Sequence, residues 1–242
     1  MKNAWTIKWF STLDSTNDEL LRHIQEYDNL AVVAAQTQTA GRGQRGNSWL
    51  TEPGENLTFS ILLKPDILVD DFMRINLVAA TAVRDYLTAR GIAAQVKWPN
   101  DIYVGKRKIC GMLVENGISA EGRIEWSVTG IGINMNQRCF PESLLNPTSM
   151  RLQTGLSYKP EEELESFMEI YASKLELSSE ELLLSYQKGL FQKGIPAHYR
   201  DMASGQEFIG TIKNILPDGR IVIETGEGES RLYRFKEVGY IL

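Results

Sequence analysis

Four stretches of the sequence carry side chains suited to handling anions. In GRGQRG, residues 41–46, Arg42 and Arg45 stand among glycines. Guanidinium forks bind phosphate oxygens in pairs and glycine lets backbone N–H groups approach a ligand, so such a loop suits a lid over a nucleotide phosphate. KWPND sets Lys97, Asn100 and Asp101 beside a rigid proline turn, and Lys108 begins the run KICGMLVE. TGIGINMN closes a strand-like segment with glycines and two asparagines, Asn134 and Asn136. Each has an ordinary explanation alone: a solvated turn, a proline corner, a lysine whose stem lies along apolar surface, a tight turn. Their company in one chain favours a site that gathers anions with cations and oriented N–H donors.

The glycine loop spells G-x-G-x-x-G, but its surroundings are wrong for a dinucleotide turn. That turn needs a helix after the glycines, facing its N-terminus to the pyrophosphate. Here NSWLTEPGENLTFS follows, with Pro53 and Gly54 where the helix belongs. A Walker loop is excluded as well, because no lysine followed by serine or threonine closes it.

The elements that must hold these residues follow from periodicity. DSTNDELLRHIQEY predicts a first helix, with Thr16 and Glu19 at capping-box spacing. AVVAAQ (31–36) and LTFSILL (57–63) predict strands on either side of the glycine loop. From Phe72 to Ala89 apolar residues recur every three or four positions, a packed helix that Gly91 ends. Pro99 should break a strand, DIYV and KICGMLVE should pair as a hairpin across VGKRK, and RIEWSVTGIGIN should add another strand. Two helices follow, one opening on Pro160 and one capped by Ser178 and Glu181. After Gly194 the chain turns to short alternating strands separated by PDG and GEGE. The class is α+β, a mixed or largely antiparallel sheet packed with helices, with a division into residues 1–193 and a small β domain over 194–242.

With 242 residues, the chain can bury a sizeable core and a cleft. Its net charge of −5 argues against a surface built to neutralise nucleic acid, so any anion site is local. Cys110 and Cys139 follow no zinc or C-x-x-C spacing, MKNAWTIKWF lacks the pattern of a signal peptide, and no apolar run nears the ~20 residues of a membrane span. The expectation is a soluble cytoplasmic protein.

Taken in order, DSTN, QTQTAGRGQRGNSW, VKWPNDIYV, KRKICGMLVE and GIGINMN resemble the biotin protein ligases, also called biotin–acetyl-CoA-carboxylase ligases. The likeness runs from about Asp14 to Asn136, and GTIKNILPDGRIVIE resembles that family's small C-terminal SH3-like barrel. It implies a catalytic domain like that of class II aminoacyl-tRNA synthetases. The reaction it implies has two steps: biotin and ATP give biotinyl-5′-AMP and pyrophosphate, and a lysine of a biotin carboxyl carrier protein then attacks the mixed anhydride. Residue by residue, the resemblance places Ser15, Thr16, Asn17 and Gln38 at the ureido end of biotin, and Gly111 and Leu113 beside its valeryl chain. Arg42, Gly43 and Gln44 fall on the closing loop, with Arg42 at the phosphate or carboxyl end; Trp49 lies along the ligand or in the core. Lys108 matches the catalytic lysine, bridging carboxylate and α-phosphate. Arg45 and Lys97 are assigned to the phosphates of ATP, Asn134 to its adenine or ribose, and Asp101 to Mg²⁺. Many members carry arginine where Gln44 stands, so this loop is less charged.

Larger members double as repressors through an N-terminal winged helix. Only 13 residues precede Asp14, which with the acidic balance predicts no DNA binding. The competing enzyme is a lipoate–protein ligase or octanoyltransferase; octanoyl transfer needs an activated cysteine, and Cys110 and Cys139 both sit in structural contexts. A nucleotide sensor without chemistry would release no pyrophosphate. Since relatives dimerise through the central sheet, an exposed strand edge leaves room for a homodimer.

Overall fold

The computed structural model describes residues 5–242, apart from the side chain of Arg45. Its larger sheet contains β1 (Thr6–Leu13), β2 (Ala31–Gln38), β3 (Leu57–Leu63), β4 (Ile67–Leu68), β5 (Ala94–Lys97), β6 (Asp101–Val104), β7 (Arg107–Ile118) and β8 (Arg123–Ile133). The hydrogen-bonded order is β1-β2-β3-β8-β7-β6-β5, with the short β4 paired to β8. The β1–β2 pair is parallel and the other neighbours are antiparallel, which makes the sheet mixed, as expected. The DIYV/KICGMLVE hairpin is present as β6 and β7, turning at Gly105 with φ +56°.

Strand β1 was not legible in the sequence. TIKWFSTL is an edge strand whose half-buried and exposed positions do not alternate regularly, and its pairing partner lies well along the chain. Its consequence is local: β1, the short helix α1 (Thr16–Arg22) and β2 form a parallel unit, and the register Leu13↔Gln38 sets the end of β2 beside the start of α1. The helix is capped one residue earlier than expected. Ser15, not Thr16, is the cap, its Oγ accepting from Asp18 N at 3.4 Å. Thr16 N donates to Gln38 Oε1 at 2.8 Å, and Glu19 turns to Tyr27 Oη at 3.1 Å, so the capping box does not form.

The two faces of the sheet divide by strand alternation. Val33, Leu62 and Val128 face Leu20 of α1, while Val32, Ala34, Phe59 and Ile61 join the main core on the other side. That core is built on α2 (Phe72–Thr88), whose Ile75, Ala79, Ala82, Val83 and Tyr86 are buried as the periodicity predicted. Against it pack α4 (Pro160–Leu175) and α5 (Ser179–Lys188); a short α3 (Met150–Thr154) precedes them. The predicted box at α5 forms: Ser178 N donates to Glu181 Oε2 at 2.8 Å, and Glu181 N to Ser178 Oγ at 3.2 Å.

The C-terminal strands β9 (Pro196–Asp201), β10 (Glu207–Ile215), β11 (Ile221–Thr225), β12 (Ser230–Tyr233) and β13 (Val238–Ile241) form an antiparallel sheet in the order β12-β11-β10-β9-β13. Its ladder runs from β12 to β13 without a pairing between those two strands, so the C-terminal unit is a five-stranded antiparallel sheet in which a closed barrel is not shown. This sheet shares the main core, which includes Tyr199, Ile212 and Ile223. It is tied to the WPND turn by Trp98, whose Nε1 donates to Gly219 O at 3.0 Å and whose ring meets Phe235 edge-on at 5.3 Å.

Candidate active site

A cleft of about 340 Å³ opens where β2, β7 and β8 meet the glycine loop, the WPND turn and the C-terminal sheet. The structure brings Ser15, Thr16, Asn17, Gln38, Arg42, Gly43, Gln44, Trp49, Lys97, Asp101, Lys108, Gly111 and Leu113 to its walls. Asn134 stands apart. It is buried, and its amide donates to Thr148 O at 2.9 Å, anchoring the segment behind the cleft. The contact expected of Arg45 concerns a side chain outside the described residues.

One end is a closed polar corner. Ser15, Thr16, Asn17 and Ser60 are each at most 3% exposed. Gln38 Oε1 accepts from Thr16 N at 2.8 Å, and Ser60 Oγ donates to Asn17 Oδ1 at 2.6 Å while touching Thr16 Oγ1 at 2.7 Å. Asn17 Nδ2 donates to Glu115 Oε2 at 2.8 Å. A carboxylate only accepts, so this bond fixes which way the Asn17 amide points.

The middle is a flat glycine floor. Gly130 and Gly132 stand two apart on β8, hence on one face, and pair across the ladder with Leu113 and Gly111 of β7. The Trp49 indole lies over Gly111 and Gly132, in the space a β-carbon at either would enter. Gly130 leaves room for the Asn17 amide in the same way. The Trp49 Nε1 is buried with no hydrogen-bond partner among the described residues.

The other end is charged. Lys108 Nζ meets Asp101 Oδ1 at 2.7 Å and lies 5.6 Å from the Trp49 ring. Lys97 Nζ sits between the rings of Tyr240 (4.5 Å) and Tyr103 (5.1 Å), so β13 supplies half of an aromatic cage. Burial pulls the Lys97 ammonium below its ordinary range; nearby Asp101 opposes that shift and Lys108 adds to it. The WPND turn is braced by Asn100, whose amide donates to Met112 O at 2.5 Å, and by Asn76 and Tyr186, which both donate to Pro99 O.

The glycine loop folds back on itself: Trp49 N donates to Gly41 O at 2.8 Å and Gly43 N to Asn47 O at 2.7 Å, around a 3₁₀ turn over Gln44–Gly46. No α-helix follows, as the sequence required. Arg42 reaches inward to two carboxylates, Nη1 donating to Asp18 Oδ1 at 2.5 Å and Nη2 to Glu115 Oε1 at 2.7 Å. Those bonds, Glu115 first, raise the already high pKa of the guanidinium. Of the cysteines, Cys139 is exposed and Cys110 fully buried, where desolvation pushes its thiol pKa far up.

Sequence reasoning missed Asp18, Ser60, Glu115, Gly130, Gly132 and the C-terminal wall of Phe235 and Tyr240. The alternate glycines of TGIGIN carried a usable signal, since i and i+2 on a strand share a face. Glu115 carried none: its partners are distant in the chain.

A family model described as the biotin/lipoate A/B protein ligase family matches residues 9–134. The bifunctional ligase/repressor BirA of Bacillus subtilis is 30% identical over 215 residues, an alignment covering 84% of this chain and 64% of that protein. The chain therefore spans under two thirds of that relative. The biotin–(acetyl-CoA-carboxylase) ligase of Paracoccus denitrificans is 33% identical over 166 residues, covering 66% of this chain and 68% of the relative. Among solved structures, biotin protein ligase from Aquifex aeolicus in complex with biotin and ATP matches at a TM-score of 0.75 and 26% identity, over 99% of this chain and 98% of that one.

Proposed function

The chain belongs to the biotin/lipoate A/B protein ligase family, and from that premise we propose that it is a biotin protein ligase that forms biotinyl-5′-AMP and passes biotin to a lysine of a biotin carboxyl carrier protein. The observation that carries this is the polarity of the cleft: a buried polar corner, a glycine floor under Trp49, and a charged wall with Lys97 and Lys108 line the same cavity. Biotin has matching parts, a urea, an aliphatic chain and a carboxylate. Thr16, Asn17 and Gln38 offer both donors and acceptors, as a urea requires when it leaves water, and Ser60 orients Asn17 from behind.

Two anions must then meet, the carboxylate and the α-phosphate. Lys108 stands where it can bridge them, releasing Asp101 as it turns, and Lys97 adds charge toward the triphosphate. A carboxylate oxygen attacks the α-phosphorus, the bond to the bridging oxygen breaks, and pyrophosphate leaves. In the second step the carrier amine attacks the acyl carbon; the amide forms, AMP departs and the amine proton goes to solvent.

Among the described residues no group of three His, Cys, Asp or Glu forms a metal cage. Asp101 fits a magnesium ion held mainly by phosphate oxygens and water, the usual arrangement for this ion with nucleotides. Bound there, it would offset charge on the departing pyrophosphate. The C-terminal sheet, assigned here as the SH3-like unit beginning near Gly194, closes the cleft through Phe235 and Tyr240.

Supplying biotin, ATP and magnesium should release pyrophosphate, and adding an acceptor domain should give it the mass of one biotinyl group. Lipoate serves as the control. Pyrophosphate release with lipoate but not biotin would replace this reading with the lipoate ligase; release with neither would end it.

A further inference from the structure

Glu115 sits outside the expected set of site residues, yet it touches both halves of the apparatus. Its Oε2 accepts from Asn17 Nδ2 at 2.8 Å, in the polar corner, and its Oε1 accepts from Arg42 Nη2 at 2.7 Å, on the glycine loop. Asn17 is buried at 3% exposure and its Oδ1 is taken by Ser60. Every polar atom of its amide is thereby oriented, and Glu115 sets that orientation. Arg42 has a second partner, Asp18, on the helix that also carries Asn17, so the loop is fastened to the floor of the corner at two carboxylates.

We infer that Glu115 is a positioning residue that couples recognition of the urea end of the ligand to closure of the glycine loop, through one carboxylate shared by Asn17 and Arg42. The inference rests on the biotin ligase reading. It assigns Arg42 a duty that precedes any contact with phosphate: its guanidinium latches the loop down, and the latch is made to the group that orients the urea-binding amide. A ligand that holds Asn17 in place stiffens Glu115, and Glu115 in turn holds Arg42. The two bonds use different oxygens, so one substitution can separate them. In Glu115→Gln, a single amide oxygen can still accept from Asn17 Nδ2, but the other position becomes an NH₂ group that faces the Arg42 guanidinium donor to donor.

The test follows the acyl-adenylate. Wild-type protein is loaded with biotin and ATP, and escape of radiolabelled biotinyl-AMP is timed alongside pyrophosphate release at saturating substrate. Glu115→Gln should speed escape about tenfold, a loss of roughly 1.4 kcal/mol at the latch, with a smaller change in the maximal rate of pyrophosphate release. Glu115→Ala, which also frees the Asn17 amide, should in addition raise the KM for biotin. Arg42→Ala combined with Glu115→Gln should escape no faster than Arg42→Ala alone, since Arg42→Ala already removes the bond that Glu115→Gln breaks. Thermal unfolding of each variant is recorded in parallel, and unchanged midpoints identify the effect as local. Additive escape rates, or wild-type escape from Glu115→Gln, would overturn the coupling while leaving the ligase reading intact; a wild-type protein that makes no adenylate would instead overturn that reading.

Discussion

Replacing Gly132 by alanine puts a methyl group where the Trp49 indole now lies. A β-carbon there would stand 2.7 Å from Cζ2 and closer still to Cε2 and Nε1, whereas carbon atoms in contact prefer about 3.5–4.0 Å. The ring must therefore rise by about 1 Å. A gap of that size forfeits a quarter to a half of each contact, and for the ~20 contacts an indole face makes at ~0.1–0.2 kcal/mol each the loss is on the order of 1 kcal/mol. That corresponds to a roughly five- to tenfold weaker grip on whatever the indole covers. Gly111→Ala should cost less, because its nearest neighbours are Trp49 Cζ3 at 3.0 Å and the flexible end of Lys108 at 3.1 Å. Tryptophan fluorescence can follow Gly132→Ala on addition of biotin, and calorimetry gives the affinity. The decisive comparison uses Trp49→Ala as background, in which the glycine substitution should lose most of its penalty. If alanine at position 132 weakens binding equally with and without the indole, the floor does not act through Trp49 and the reasoning is refuted.

Other substitutions probe the charged end and the loop. Lys108→Ala should slow adenylate formation by about two orders of magnitude or more, the scale of removing one preorganised electrostatic group; single-turnover pyrophosphate release reads this directly, and a loss below threefold would remove Lys108 from the chemistry. Arg42→Gly should keep part of the synthesis and let the intermediate leak, seen as increased labelling of bystander lysines; unchanged labelling would exclude a closing role. Lys97 makes a pH prediction. Its native pKa is lowered from the ordinary 10.5 by burial, so between the lowered value and 10.5 the unfolded chain binds a proton that the native state has shed, and stability gains from this group as pH rises through that window. Lys97→Met should flatten that rise in thermal midpoint, and an unaltered slope would mean that the ammonium is not desolvated in its tyrosine cage.

Much of this site was readable along the chain because its parts are contiguous. The alternation of LTFSILL, the spacing from Phe72 to Ala89 and the Gly105 turn of the hairpin each report the local backbone they produce. Pro53 and Gly54 alone were enough to reject a dinucleotide turn after GRGQRG, and no α-helix stands there. The cap of α1 was misplaced by one residue for the opposite reason: the N–H of Thr16 is claimed by Gln38 on a neighbouring strand, a partner no local rule can supply.

The sequence by itself determined which chemistry was on offer: arginines among glycines, lysines round a proline turn, and cysteines in structural contexts rather than activated ones. Only the tertiary structure decided how these groups are used. Side-chain partners depend on strand order and register, which are set by packing across the whole sheet. Thus β1 pairs with β2 and brings Gln38 to Thr16, β7 pairs with β8 and spreads four cleft-facing residues into a floor, and the C-terminal sheet delivers Tyr240 to Lys97. Whether a charged side chain is free or engaged follows from that assembly: Arg42, an exposed loop cation in one dimension, is held in three by Asp18 and Glu115.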